Sequence, residues 1–182
     1  MIHTGLIGSA LALCLGASAA LATSETARFD PDLIVLEQGI YCSVEPTGET
    51  PAPDTLAGII ELIDAPPEFR WIGTRVPAVP GISFGVRTQT VNAELLDNVL
   101  VTLTHPRFTR SGLTRQTYTT MLGGAGRSLN AYGFDVAEEL VTGTWTFTAT
   151  HDGQEVYSAQ FEVVPASAEP GIAAGCGTAP LS

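Results

Sequence analysis

The stretch TWTFTATHDGQEVYSAQFEV, residues 144–163, is the strongest indication of a fold in this chain. Its first half alternates threonine with apolar side chains, so that Trp145 and Phe147 share one face. This period of two is typical of a half-buried β-strand. Asp152 and Gly153 at the centre favour a tight turn, and the alternation then resumes on a return strand. We expect the resulting hairpin to place four aromatic side chains in one core: Trp145, Phe147, Tyr157 and Phe161.

Shorter runs of the same kind occupy much of the preceding sequence. Residues 82–86 and 99–103 alternate in the same way, and glycine and proline separate the runs. The best helical segment, residues 137–141, is too short for a crossover between parallel strands, which argues against α/β folds. The sequence therefore predicts an all-β, immunoglobulin-like antiparallel β-sandwich of about 7–9 short strands. A small antiparallel barrel is the alternative.

The N-terminal 22 residues have the features of a targeting segment. They contain no Asp, Glu, Lys or Arg, and their apolar centre is followed by small residues that end at Ala22. This arrangement is typical of a secretory signal peptide that is cleaved after export. The alternative is a retained membrane anchor, because residues 5–22 are nearly long enough to span a bilayer. We expect four segments: a signal peptide at 1–22, a loose lead-in at 23–36, the sandwich at 37–165 and a C-terminal tail at 166–182.

The cysteines support export. Removal of the signal peptide would remove Cys14 and leave only Cys42 and Cys176. Two cysteines in an oxidising compartment usually form a disulfide, which would hold the tail next to the first strand. The alternative is a pair of free thiols. The expected location is the bacterial periplasm or the medium, with no stable membrane insertion once the signal peptide has been cleaved.

The charge balance excludes some partners. The chain has 19 acidic and 8 basic residues and a net charge of −11, which is the wrong sign for nucleic acid or anionic lipid. Every basic residue is arginine, and half of the arginines lie close together in the sequence. Such guanidinium groups could receive an anionic group of a partner, or they could simply neutralise nearby carboxylates. The candidate partner contacts are Arg107, Arg110, Arg115 and Arg127.

One motif suggests a hydrolase. Residues 81–85 match the G-x-S-x-G nucleophile elbow around Ser83, and Asp135 and His151 follow in the order of an α/β-hydrolase triad. An elbow needs a sharp turn at the serine between a strand and a helix. Here the strand alternation continues through Ser83, so we expect an outward-facing strand serine. A serine hydrolase that uses Ser83 is kept as an alternative function.

The sequence contains few residues that could bind a metal or a cofactor. Beyond the signal peptide the chain has two histidines, His105 and His151, which we expect at a strand end and a hairpin tip on the surface. A metal site normally needs three or four convergent ligands, so we expect neither a metal nor a cofactor. The adjacent Glu138 and Glu139 are expected to flank a helical turn, with no neighbour that would raise the pKa of either carboxyl.

Four segments together resemble a known bacterial family. They are VPAVPGISFGV at residues 76–86, VTLTHP at 101–106, ELVTGTWTF at 139–147 and FEVVP at 161–165. They are similar to the family called domain of unknown function 3859, over roughly residues 37–176. The resemblance implies a small bacterial envelope domain, and it transfers no catalytic or binding residues to this sequence.

These observations favour a non-enzymatic exported domain that binds another envelope protein or a ligand. Function depends on sites and not on folds, so export and the sandwich pattern do not specify the partner. A small-ligand carrier is a further alternative, and it would need a barrel with an interior cavity.

Overall fold

The structure, a computed structural model, describes residues 27–176. The expected signal peptide and Cys14 therefore lie outside the described residues. Within that range the chain forms twelve strands and one short helix, α1 (Pro170–Ala173). The strands are β1 (Ala27–Phe29), β2 (Ile34–Cys42), β3 (Gly48–Pro51), β4 (Ile59–Leu62), β5 (Trp71–Ile72), β6 (Arg75–Pro77), β7 (Ile82–Thr90), β8 (Leu95–Thr104), β9 (Arg115–Gly123), β10 (Ser128–Gly133), β11 (Gly143–His151) and β12 (Gln154–Val164).

Ten of these strands form the two sheets of a sandwich. The first sheet has the order β1-β12-β11-β8-β9, with β6 added in parallel to β12, and the second has the order β10-β7-β2-β5. Strands β3 and β4 form a separate hairpin. The all-β sandwich is confirmed, and the barrel alternative is wrong because neither sheet closes on itself. Residues 27–176 form more strands than the expected 7–9, since the pattern did not reveal short strands such as β1 and β3.

The core lies between the sheets and is centred on Phe84 of β7. The Phe84 ring lies 5.6 Å from Trp145 and 5.1 Å from Phe161, both in edge-to-face geometry. Such aromatic pairs contribute about 0.5–1.5 kcal/mol beyond the burial of their area. The expected shared core is confirmed, since all four of its aromatic side chains are buried: Trp145, Phe147, Tyr157 and Phe161.

The turn between β11 and β12 also agrees with the sequence. Asp152 has φ 49° and Gly153 has φ 77°, so both residues adopt the left-handed region that a two-residue hairpin turn requires. A bulge between Ala149 and Thr150 shifts the register near this turn.

The N-terminal segment differs from expectation. Within its described part, the expected lead-in at residues 23–36 contains β1, which pairs with β12, and the start of β2. Backbone pairing decided this outcome, because β12 offers its edge to a segment whose side chains carry little apolar pattern.

The C-terminal tail is held by a disulfide between Cys42 and Cys176, whose Cα atoms lie 5.2 Å apart. Arg70 supports this end by donating from Nη1 to the Gly175 carbonyl at 2.7 Å. The Trp71 ring packs so closely on Gly175 that a Cβ there would lie 2.5 Å from it. The disulfide is consistent with a location outside the cytoplasm. In the part of the chain described, no helix is long and apolar enough to cross a membrane.

The outer face of the second sheet is covered next to β2 and β7. Phe69 sits over Gly39, where a Cβ would lie 2.3 Å from its ring. The Arg87 guanidinium stacks 4.9 Å from the same ring and donates hydrogen bonds to Glu37 and Glu68. The Arg87 side chain is buried beneath this cover.

Candidate binding site

A cavity of about 750 Å³ opens on one side of the sandwich. It lies where the two sheets end, at the edge strands β9 and β10, and the β3–β4 hairpin forms its outer wall. The hairpin turn is fixed to β9 at two points. Thr117 N donates to Asp54 O at 3.2 Å, and Leu56 N donates to Gln116 Oε1 at 2.7 Å. The hairpin therefore bridges the open side of the sandwich without filling it.

Strand β10 lines this cavity along its whole length, from Ser128 to Gly133. It pairs with β7 and has no second neighbour in either described sheet. Phe134 N donates to Ile82 O at 3.2 Å, so the even-numbered residues at this edge exchange hydrogen bonds with β7. Antiparallel strands alternate the direction of their backbone groups. The N–H and C=O groups of Leu129, Ala131 and Gly133 therefore point to the free edge.

A second observation supports this assignment. Ser43 N donates to Gly81 O at 2.9 Å, so the odd-numbered residues of β7 bond to β2. The even-numbered residues of β7 are thereby left for β10, which agrees with the contact between Phe134 and Ile82.

The rim of the cavity exposes apolar side chains. Val44 is 40% exposed, Leu62 is 46% exposed and Met121 is 61% exposed, and all three line the cavity. These three side chains surround one opening, whereas a single exposed apolar residue on a surface needs no explanation. The rim therefore offers apolar contacts to a partner.

Carboxylates surround the same opening. Burial raises the pKa of Glu61, and the nearby Asp135 and Glu45 carboxylates raise it further. Burial also raises the pKa of Asp135. Of the described residues that line the cavity, five are acidic and only Arg127 is cationic. The acidic ones are Glu45, Glu61, Asp64, Asp135 and Glu139.

The inner wall holds a continuous chain of hydrogen bonds. His105 stacks 3.9 Å from the Phe108 ring, and its Nδ1 lies 2.9 Å from the Pro106 carbonyl. Because that carbonyl can only accept, Nδ1 donates, and Nε2 accepts from Gln116 Nε2 at 3.2 Å. The ring is therefore neutral, which agrees with a pKa that burial holds below its usual value. The prediction that His105 lies on the surface is wrong, since the side chain is buried.

The chain continues to a buried carboxylate. Gln116 Nε2 donates to the Tyr132 hydroxyl at 3.3 Å, which donates in turn to Glu139 Oε1 at 2.7 Å. Glu139 Oε2 accepts the amides of Asp135 and Val136 at 2.6 and 2.9 Å. Burial raises the pKa of Glu139 despite these bonds. The expectation that nothing raises the pKa of this carboxyl is therefore wrong, because the folded chain buries Glu139.

Ser83 does not sit on a nucleophile elbow, because β7 runs from Ile82 to Thr90 without a turn. Its side chain is buried, at 5% exposure, and not outward in solvent as expected. The hydroxyl lies 2.8 Å from Ser43 Oγ, near Gly133 and Asp135. His151 lies instead 4.0 Å from Asp97 and does not line this cavity. The structure thus brings Ser83 and Asp135 to the same end of the cavity without His151.

The four candidate arginines do not form one patch. Arg107 closes its own loop by donating to the Gly112 carbonyl at 2.8 Å, and the backbone of Arg110 in the same loop donates to Glu138. Arg115 begins β9, whereas Arg127 lies past its other end, 3.5 Å from Glu68. Their role as partner contacts remains a prediction. Within residues 27–176, no three His, Cys, Asp or Glu side chains come together as metal ligands.

Sequence reasoning did not find the cavity. Its wall combines β9 and β10 with a hairpin more than fifty residues earlier, and its polar chain joins His105, Gln116, Tyr132 and Glu139. No local pattern links these positions. The available signal was a polar residue at an inward position of a strand, as Gln116 and Asn130 are.

Comparison with known proteins identifies the fold and the family. The structure is similar to the crystal structure of an immunoglobulin-like protein from Pseudomonas aeruginosa, with a TM-score of 0.50 and 20% sequence identity. The match covers 76% of this chain and 96% of that chain, and at this identity it supports the fold alone. No curated protein matches the sequence. The resemblance found in the sequence is confirmed: a family model described as Domain of unknown function (DUF3859) matches residues 30–163, and the chain belongs to this family.

Proposed function

We propose that this chain is an exported, non-enzymatic domain that binds another protein of the bacterial envelope. The binding site is the cavity bordered by β9, β10 and the β3–β4 hairpin. Export is supported by the signal-peptide pattern of residues 1–22 and by the Cys42–Cys176 disulfide. The periplasm or the medium is then the compartment in which the partner is met.

One observation carries the proposal: the cavity combines a free strand edge, exposed apolar side chains and carboxylates at one opening. Apolar contact surrounded by polar groups is the usual composition of a protein interface. A closed pocket for a small ligand would bury most of that ligand, but this cavity is partly open and is bordered by the edge strand β10. A protein partner therefore fits the opening better than a small ligand does.

The test is site-specific photocrosslinking in the intact envelope. A photoreactive phenylalanine at Met121 stands at the rim, and one at Ile72, which is also exposed but does not line the cavity, is the control. We expect the Met121 position alone to crosslink to a discrete protein, which is then purified and its binding measured. Identical products from both positions, or none from Met121, would contradict the proposal.

The serine hydrolase alternative has its own test. Ser83 and Ser43 lie at one end of the cavity, so a fluorophosphonate probe can be applied to the folded protein. We expect no labelling, because His151 does not line the cavity that holds Ser83. Labelling that disappears in Ser83→Ala would overturn the non-enzymatic assignment.

A further inference from the structure

We infer that the partner enters the cavity as an extended, basic polypeptide segment that pairs with the free edge of β10. This inference rests on the proposed function and specifies the mode of binding. Addition of a strand to an exposed sheet edge is a recurrent form of peptide recognition, in which main-chain hydrogen bonds supply affinity and side-chain contacts supply specificity.

The edge of β10 is suited to this mode. Its ladder with β7 is regular over six residue pairs, from Ser128 to Gly133, with no bulge. The strand contains no proline, lysine or other charged side chain, although these are the usual devices that prevent pairing at an edge. The three residues that point backbone groups outward are Leu129, Ala131 and Gly133, and two of them are small.

The edge of β9 is different, although it borders the same cavity. Its ladder with β8 shifts register between Leu96 and Val99, and its Thr117 amide already donates to the hairpin. These features block the addition of a strand along β9. Of the two edges, β10 is therefore the one open to a partner.

The charge at the opening specifies the partner. Glu45, Glu61 and Asp64 line the cavity, and the mutual repulsion of Glu61 with its acidic neighbours contributes to its raised pKa. A lysine or arginine next to these groups would relieve the repulsion. Arg127, the cation of the lining, already lies 3.5 Å from Glu68.

The apolar rim adds a second requirement. Val44, Leu62 and Met121 offer contacts to apolar side chains, so a segment that alternates basic and apolar residues fits both features. A second copy of this chain fits poorly, because it would bring a net charge of −11 and the same carboxylates to the opening.

The test uses a blocked heptapeptide of alternating lysine and valine, with a glutamate–valine heptapeptide as the control. Binding is measured by calorimetry, and amide hydrogen exchange is followed residue by residue on the folded protein. We expect the lysine peptide to bind at least tenfold more tightly than the glutamate peptide. We also expect it to slow exchange at least tenfold at the amides of Leu129, Ala131 and Gly133, whose N–H groups point to the free edge.

Two sets of variants test the separate requirements. Ala131→Pro removes one outward N–H that takes no part in the β7 ladder, whereas Ala131→Ser keeps it, and we expect only the proline to weaken binding, by about tenfold. Removal of two rim charges by Glu45→Gln with Glu61→Gln is expected to weaken binding about tenfold. The matched control, Glu94→Gln with Glu155→Gln, removes two charges that do not line the cavity.

The outcomes separate the two proposals. Absence of lysine-peptide binding, or binding that leaves the three β10 amides unchanged, overturns strand addition even if Met121 crosslinks to a partner. Concentration-dependent dimerisation that protects the same amides without peptide identifies a second copy as the occupant and also overturns the inference. Failure of the Met121 crosslink contradicts the proposed function itself.

Discussion

The β11–β12 hairpin buries Trp145 and Phe147 fully, whereas β9, at the other side of the same sheet, borders a cavity of about 750 Å³. In the hairpin, each strand has a neighbour on both sides and apolar side chains from both sheets meet. At β9 and β10 the two sheets end, and a hairpin with mostly exposed residues crosses the gap. Local alternation is therefore enough to build the centre of this sandwich, while its open side depends on contacts between distant segments.

The largest effect should come from the disulfide that joins the end of β2 to the C-terminal tail. Cys42 and Cys176 are 134 residues apart and both line the cavity. On the chain-entropy model, loss of so long a loop destabilises by roughly 5 kcal/mol, through the unfolded state. We expect Cys42→Ser with Cys176→Ser to lower the free energy of unfolding by this order, measured in urea. A double variant as stable as the oxidised protein would show that the tail is held by packing alone.

Replacement of Phe84 tests how much the aromatic core between the two sheets contributes to stability. Its truncation to alanine removes a ring that contacts four other buried rings, and we expect a loss of roughly 4 kcal/mol of stability. The same change at Phe29, which is 43% exposed, should cost less than about 1 kcal/mol. Similar losses at both positions would contradict a core centred on Phe84.

Replacement of Glu139 tests how much the polar chain in the cavity wall contributes to stability. Alanine there leaves the partly buried Tyr132 hydroxyl and the amides of Asp135 and Val136 without their acceptor, so we expect a loss of roughly 3 kcal/mol. The adjacent Glu138→Ala is the control, and we expect it to lose clearly less stability than Glu139→Ala. Equal and small losses in urea unfolding would mean that the polar chain does not hold the wall of the cavity.

The pH dependence of stability should also distinguish Glu139 from its neighbour Glu138. Burial raises the pKa of Glu139 above its ordinary value of 4.5, so its carboxyl holds a proton more tightly in the folded chain. Its contribution to stability is complete below that value and is lost as the pH rises through the raised pKa. We therefore expect the stability of the wild-type protein, relative to Glu139→Gln, to fall as the pH rises above 4.5.

Glu138 should show the opposite sign. The hydrogen bond from the Ser111 amide lowers the pKa of its carboxyl, so its contribution is present above the ordinary value of 4.5 and is lost as the pH falls. The stability of the wild type relative to Glu138→Gln is expected to rise with pH. If stability changed with pH in the same direction for both variants, the opposite pKa shifts of Glu138 and Glu139 would be refuted.

The smallest change in stability is expected in the loop that contains Arg107 and Arg110. Arg107 and Arg110 are exposed, and their replacement by alanine should change stability by about 0.5 kcal/mol or less. If the partner binds at the cavity alone, the double variant captures it as well as the wild type does. A weaker pull-down with an unchanged melting temperature would instead add this loop to the contact surface.

Much of the fold could be predicted from residues 144–163 and the shorter runs before them. Their period of two requires a pleated strand with one buried face, and the Asp152-Gly153 pair permits the tight turn. The cysteine count predicted the pairing of Cys42 and Cys176, which the structure shows. The short strands were missed, because β1 and β3 are held by backbone pairing and carry little side-chain pattern.

The sequence by itself determined the sandwich, since alternation is local and any fold must bury the apolar face that it creates. Only the tertiary structure decided the cavity. His105, Gln116, Tyr132 and Glu139 become a chain when β9, β10 and two loops meet, and the sequence contains no period that relates them. The free edge of β10 is likewise a property of strand order, because a strand is an edge only through the absence of a neighbour in its sheet.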